Sequence, residues 1–448
     1  MFAQSFSIAR NTFVEAVRQP IFFIMILVGG GLQIVNTLLS AFTMGFTEKT
    51  EVFGDDKLLY EMGLATVVVC ATLLAAFVAT SVLSREIENK TALTVISKPV
   101  GRPVFVIGKY LGVTGAILFA SIILIVFFMF AIRHRVMSTA RDTLDGPVVL
   151  FSTLAVLLPI GLAIWGNYFY GWVFSSTAVF WMMPAVLLAY ALVLSINKEW
   201  AFQPIFTDLK PQILLSACCA LMAILILSGV AVAASTRLGQ VMTIVVCAGV
   251  FLLGLLSDHL IGRHAFVNQP LGIVRSVSVE DNSTLTAAGQ RATVALKSPS
   301  RTEIRPGMSV YYAADPSGMS MEVPAHPAFE GNPLDRDDLI SGRFAPALVV
   351  RELGADNSFT LVNVGGLPVA RLPREGDFVF AQPTRTNTVA RIAWAVVPNL
   401  QIFWLVDAVT QGHKIPPRYL ASVALYGTAQ TIAWLALAVV LFQRRDVG

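Results

Sequence analysis

Residues 84–109 read SREIENKTALTVISKPVGRPVFVIGK, and their polar first part separates two long apolar runs. Those runs occupy 63–83 and 104–132, and about 20 apolar residues are enough to cross a bilayer as a helix. We therefore predict that this segment joins two membrane spans and offers a docking surface to the adjoining aqueous phase. The charged side chains of its polar part, 84–103, are Arg85, Glu86, Glu88, Lys90, Lys98 and Arg102.

The composition of the whole chain agrees with a membrane protein. Of its 448 residues, 55% are hydrophobic and only 13% are charged, whereas soluble domains carry about 25% charged residues. The net charge of +4 is small, and the sequence contains no arginine-rich run. We therefore expect contact with membrane lipid and no binding of nucleic acid.

Apolar runs divide the membrane part into eight predicted spans. The stretch 148–196 is too long for one helix and contains Pro159 and Pro184, so we divide it into a tight helical hairpin. Before the first span, Phe2, Phe6 and Phe13 recur at helical spacing, which predicts an amphipathic helix over 1–19 at the membrane surface. The predicted spans are 21–42, 63–83, 104–132, 148–170, 175–196, 213–234, 241–260 and 419–442.

A polar insertion separates the seventh span from the last one. Residues 263–391 are rich in glycine and proline and contain short β-type runs separated by turn residues, which predicts a compact all-β domain. The segment 394–412 that follows is too short and too polar to span, so we expect an interfacial or re-entrant helix there. The predicted β runs are 293–296, 309–313, 348–351, 359–364, 368–372 and 378–381.

The distribution of lysine and arginine residues gives only a weak indication of how the chain is oriented in the membrane. With the amino terminus inside, the short inner segments hold nine lysine and arginine residues and the short outer loops hold seven. The positive-inside rule favours this orientation by that small margin. It places both chain termini in the cytoplasm and the β domain outside.

The predicted spans contain few ionisable side chains of the kind that could bind a coupling ion. Lys109 and the pair Asp258 and His259, all near span ends, are the main ionisable groups, which argues against coupling to a proton or sodium gradient. The stretch 101–110 is not a phosphate-binding loop. Its two glycines are spaced differently from those of that motif, and it lacks the serine or threonine that would bind magnesium. Since the cysteines and histidines show no metal-ligand spacing, we predict no catalytic, metal or cofactor site in this chain.

The opening segment resembles a known family. Residues 86–91 (EIENKT), 97–102 (SKPVGR) and 108–109 (GK) are similar to the cytoplasmic coupling loop of ABC transporter permeases of the type-2 exporter family. Residues 235–238, 398–403 and 441–446 are similar to a second cytoplasmic contact, to the segment before the last span and to the closing motif of these permeases. The family core has six spans, so the hairpin at 148–196 and the β domain would be additions to it.

This resemblance implies a permease that pairs with a separate ABC ATP-binding subunit and with a second permease copy. The two permease copies would form a homodimer in the inner (plasma) membrane. ATP and magnesium would bind to the partner, so the chain itself would not be an enzyme. The loop helix at 86–96 would lie in a groove of that ATPase. The residues that would contact or transmit force from the ATPase are Arg85, Glu86, Glu88, Thr91, Pro99 and Arg102, with Arg237 as a secondary contact.

The expected fold is an all-α polytopic membrane protein of about eight transmembrane helices with an inserted small all-β soluble domain. A second interpretation stays open, in which the spans only anchor a scaffold whose β domain binds a partner or an envelope component. An intramembrane enzyme is disfavoured because no acid–base pair or metal cluster lies at membrane depth. The expected divisions are an interfacial helix at 1–19, the permease region at 20–262 with its coupling loop at 84–103, the β domain at 263–391, and the interfacial segment with the last span at 392–448.

Overall fold

The computed structural model describes residues 2–40, 48–84, 101–136, 143–279, 284–300, 302–340, 342–410 and 415–444. The chain divides into two compact units. One unit, the membrane unit, contains Met1–Leu255 and Leu400–Gly448, and the other, the β unit, contains Leu256–Asn399. The domain limits drawn from the sequence stay predictions.

Eight helices are long and apolar enough to cross a membrane within the described residues, which confirms the predicted polytopic helical fold. The third helix continues through a π-helical turn at Thr80–Ser84. In chain order the α-helices of five or more residues are α1 Phe2–Val17, α2 Pro20–Leu39, α3 Glu48–Ala79, α4 Arg102–His134, α5 Gly146–Tyr170, α6 Phe174–Ser195, α7 Pro211–Ser235, α8 Gln240–Ser257, α9 Arg336–Ile340, α10 Thr388–Val396, α11 Val406–Thr410 and α12 Pro417–Gln443.

Local sequence signals set the ends of these helices. A proline stands in the first turn of α2, α4, α5, α7 and α12, where its missing N–H is not needed and its fixed φ suits a helix. Gly171 ends α5 in the left-handed conformation, with φ 67°, and α6 begins at Phe174. The predicted hairpin therefore forms with a very short connection.

Helix α4 lies at the centre of the membrane unit. In its most apolar stretch 78% of the residues are buried within the protein, against 28% in α2 and 17% in α12. It packs against α1, α3, α6 and α7. Because α4 begins directly after the polar loop at 84–103, any displacement of its first turn reaches the middle of the bundle.

Helix α1 lies against α4 because two glycines leave room for it. A Cβ on Gly112 would lie 2.5 Å from the carbonyl oxygen of Ala9, and one on Gly108 would lie 3.1 Å from that of Ser5. Small residues four apart allow this close helix approach in membranes. The predicted amphipathic helix therefore exists, while its position at the membrane surface stays a prediction.

The β unit contains a six-stranded antiparallel sheet in the order β4-β7-β2-β3-β6-β5 and a separate two-stranded pair, β1 with β8. Its apolar core includes Val274, Val294, Tyr312 and Leu361. The strands are β1 Phe266–Val267, β2 Pro270–Val279, β3 Arg291–Leu296, β4 Tyr311–Ala313, β5 Ala347–Leu353, β6 Ser358–Val364, β7 Phe378–Phe380 and β8 Arg385–Thr386.

The structure corrects two expectations for this sheet. The predicted strand at 368–372 is wrong, since no strand forms there. Arg371 instead pairs with Asp377 at 2.6 Å and with Glu322 at 3.1 Å, and the hydrogen bonds that Arg371 donates to Asp377 raise the pKa of Arg371. The longest strand, β2, was missed because it begins with a proline and a glycine that resemble turn residues.

Candidate functional site

The predicted coupling residues fall into two groups. Arg85, Glu86, Glu88, Thr91 and Pro99 lie in 85–100, outside the described residues. The other two, Arg102 and Arg237, have defined positions.

Arg102 and Arg237 both bind the carboxyl-terminal end of the last span. Arg102 Nη1 donates to the carbonyl oxygen of Gln443 at 2.7 Å, and Arg237 Nε donates to that of Leu441 at 2.9 Å. The last carbonyls of a helix lack donors within the helix, and positive side chains complement the dipole at that end. The structure thus brings these two predicted residues to one place, the last turn of α12.

An aromatic contact lies beside these hydrogen bonds. The rings of Phe105 and Phe442 stack with centroids 5.5 Å apart, and both side chains are buried. We call Arg102, Phe105, Arg237 and the last turn of α12, including Phe442, the helix-end junction. It joins α12 to the first turn of α4 by one polar and one apolar contact.

Lys109 lies one turn further along α4 and is also buried. Its Nζ is 5.7 Å from the centroid of the Phe105 ring, within the range of a cation–π interaction. Lys109 therefore packs within the bundle. The ring of Phe105 supplies a favourable surface for the ammonium group that hydropathy alone does not reveal.

The connection between α7 and α8, which contains Arg237, is short and is held by hydrogen bonds. The N–H of Leu238 donates to the carbonyl oxygen of Ala234 at 2.9 Å. Thr236 Oγ1 donates to the carbonyl oxygen of Ala233 at 2.7 Å. Since α7 ends at Ser235 and α8 begins at Gln240, Arg237 is held at a rigid turn and not on a long loop.

A second polar cluster lies at the opposite end of α4. Arg133 Nη1 pairs with Asp145 at 2.8 Å, and Arg133 Nη2 pairs with Asp208 at 3.1 Å. Asp145 is only 1% exposed and also caps α5 by accepting from the N–H of Val148. We call these three residues the Arg133 ion cluster. The sequence counted Arg133 only as a loop charge, since nothing local indicates its two partners.

The polar side chains within the first spans are used for helix packing. Gln33 Nε2 donates to the carbonyl oxygen of Gly63 at 2.9 Å, and Asn36 Nδ2 donates to Thr66 Oγ1 at 2.9 Å. These bonds join α2 to α3 across the bundle.

Part of the chain matches a known protein family. Residues 58–240 match the family model described as ABC-2 family transporter protein, a region that includes the loop at 84–103, all of α4 and Arg237. No curated protein and no solved structure matches the chain. This match confirms, over residues 58–240, the family that the loop motif predicted, and it supports an ABC-2 type permease; the sheet of the β unit is consistent with the predicted inserted β domain.

Proposed function

We propose that this permease is the membrane subunit of an ATP-driven exporter and that a separate ABC ATP-binding subunit moves it through the loop at 84–103. The observation that carries the proposal is the helix-end junction. Arg102 lies at the end of the loop, where α4 begins, and bonds to the end of α12. Arg237 bonds to the same turn from the α7–α8 link. Force applied to the loop would therefore reach three membrane helices through two arginines, as rigid-body transmission requires.

The proposed complex contains two copies of this chain and two ATP-binding subunits, which supply the ATP and magnesium sites. Exposed apolar side chains on α2, such as Val28 and Leu32, and on α8, such as Val245 and Leu252, offer surface for a second copy. We propose an inner-membrane location with both termini in the cytoplasm. This orientation agrees with the small excess of basic residues on the loop side.

The test reverses the acidic charges of the loop with Glu86→Lys and Glu88→Lys together. We expect the variant to insert into the membrane normally but to lose stimulation of the ATPase, because like charges would meet where opposite charges set the docking register. The control pair, Glu330→Lys with Glu352→Lys, changes two exposed acids of the β unit. Co-purification of the loop variant with the ATPase at wild-type yield, with unchanged transport, would contradict the proposal.

A scaffold function remains the alternative because the β unit is compact on its own. Deleting 263–391 separates the two ideas. The permease proposal expects residual ATPase stimulation by the deleted chain, since the loop and the helix-end junction remain. Complete loss of function together with intact membrane insertion and normal binding of the ATPase would favour the scaffold.

A further inference from the structure

A large apolar cavity lies in the membrane unit between α2, α4 and α5. Its volume is about 700 Å³, within the range of roughly 300–1,000 Å³ that is usual for ligand sites. The wall on α5 belongs to the helical hairpin formed by α5 and α6. Side chains that line the cavity include Leu27, Ile34, Phe127, Phe130, Val156 and Leu157.

The dimensions of the cavity match one leaflet of a bilayer. Its lining on α2 runs from Leu27 to Leu38, which corresponds to about 16 Å along a helix at 1.5 Å per residue. One leaflet contributes half of the hydrocarbon thickness of about 30 Å. Ile34, Leu38 and Leu157 are also exposed, so the cavity opens sideways toward the lipid.

One end of the cavity carries positive charge. His134 and Arg135 line it there, at the end of α4. The neighbouring Arg133 is neutralised by Asp145 and Asp208, whereas Arg135 is exposed and forms no ion pair in the part of the chain that the structure describes. The cavity therefore combines apolar walls with a cation at the depth of the head groups.

We propose that this cavity binds an anionic phospholipid, with one acyl chain along α2 and α5 and its phosphate at Arg135. An apolar cavity open to the bilayer core takes up hydrocarbon readily, while water would find few polar partners in it. The exposed guanidinium of Arg135 favours a negative head group, since a basic side chain near the surface attracts anionic lipid. This lipid site goes beyond the proposed function and does not depend on coupling to ATP.

Gly31 provides a way to fill the cavity without disturbing its walls. Gly31 lines the cavity, and a Cβ built on it meets no atom within 4 Å. Gly161 on α5 is equally open to substitution but does not line the cavity. Gly31→Leu and its control Gly161→Leu therefore add the same side chain to a helix, inside and outside the site.

The experiment titrates the delipidated full-length protein with phosphatidylglycerol and counts bound lipids by native mass spectrometry. Gly31→Leu should weaken binding of the tightest lipid about tenfold, because the added side chain displaces about two methylene groups of the acyl chain. Gly161→Leu should bind like the wild type. Equal affinity in Gly31→Leu and the wild type would overturn the site. So would a change of oligomeric state in Gly31→Leu alone, which would mean that a second copy occupies the cavity.

The head-group contact is tested by repeating the titration with phosphatidylcholine of the same acyl chains. Arg135→Gln should reduce the preference for phosphatidylglycerol about fivefold, as expected for one charge near the surface. Lys198 is an exposed basic residue that does not line the cavity. The control Lys198→Gln should therefore keep the preference for phosphatidylglycerol. An unchanged preference in Arg135→Gln would overturn the assignment of the phosphate to Arg135.

Discussion

The two ends of α4 are held in different ways. At its first turn, Arg102 donates to a backbone carbonyl of α12 in a solvent-exposed bond. At its last turn, Arg133 pairs with two carboxylates, one of which is almost completely buried. The first contact resembles a helix cap, while the second is a partly buried ion cluster.

This difference indicates which end can move. An ordinary hydrogen bond contributes about 0.5–1.5 kcal/mol net, and exposed bonds exchange easily with water. Breaking a buried ion pair by removal of one partner costs about 3–5 kcal/mol, because a charge stays buried without compensation. The first turn of α4 can therefore move with the adjoining loop and carry the end of α12 with it, while the Arg133 ion cluster keeps the far ends of α4 and α5 together.

Removing Arg133 should have the largest effect and would test the fixed end. Arg133→Met leaves Asp145 buried without its partner, so we expect about 3–5 kcal/mol less stability. Thermal unfolding of the purified full-length protein would measure the change. The control Lys198→Met alters an exposed basic residue outside the cavity and should have little effect. Further replacement of Asp145 and Asp208 by asparagine should recover stability, and equal stability of Arg133→Met and its control would contradict the comparison.

Adding one methyl group to α4 should test the packing near its movable end. Gly112→Ala would place a Cβ 2.5 Å from the carbonyl oxygen of Ala9, so α1 must shift and we expect a loss of about 1–3 kcal/mol. Gly115→Ala is the control, because its Cβ would lie 3.6 Å from the ring of Phe13, an ordinary contact. Trypsin cleavage at Arg10 should become faster only in Gly112→Ala. Equal cleavage of both variants would show that α1 does not depend on this close approach.

Loss of the two junction arginines should alter coupling more than stability. For Arg102→Gln combined with Arg237→Gln we expect a stability loss of about 1 kcal/mol or less for each residue, but a clear loss of ATPase stimulation with the partner subunit. Arg418→Gln, at the opposite end of α12, is the matched control. The proposed difference between the two ends of α4 would be wrong if the double variant unfolded as readily as Arg133→Met or stimulated the ATPase as well as the control does.

A change of salt concentration should have the smallest effect on stability, and it would distinguish the exposed end of α4 from the buried one. Exposed charge interactions are screened over about 8–10 Å at physiological salt and more strongly at higher salt. We therefore expect the stability difference between the wild type and the Arg102→Gln, Arg237→Gln variant to shrink as sodium chloride is raised. The difference caused by Arg133→Met should change much less. Parallel salt dependence in the two variants would mean that both ends are equally exposed to solvent.

The helical architecture followed closely from local sequence. The predicted span 104–132 became Arg102–His134, and the predicted hairpin at 148–196 became α5 and α6. Runs of apolar residues suffice here because the bilayer requires every spanning backbone group to bond within its own helix. The loop motif likewise predicted the family through residues that are contiguous in the chain.

The sheet was harder to predict because its strands depend on neighbours. Strand β2 pairs with β7 over its first part and with β3 over its second part, and only Leu271 and Val274 of its residues are buried. Such a strand lacks the regular alternation of a half-buried strand. The stretch 368–372 looked more like a strand, but Arg371 binds two acids there instead.

The sequence by itself determined that the chain crosses a membrane, where its spans lie, and which loop resembles an ATPase contact. Only the tertiary structure decided that Arg102 and Arg237 meet at the end of α12, that Arg133 finds Asp145 and Asp208, and that a cavity opens beside α5. The physical reason is the range of the forces involved. Hydropathy acts on neighbouring residues, whereas hydrogen bonds, ion pairs and cavities depend on groups that only the packing of distant helices brings together.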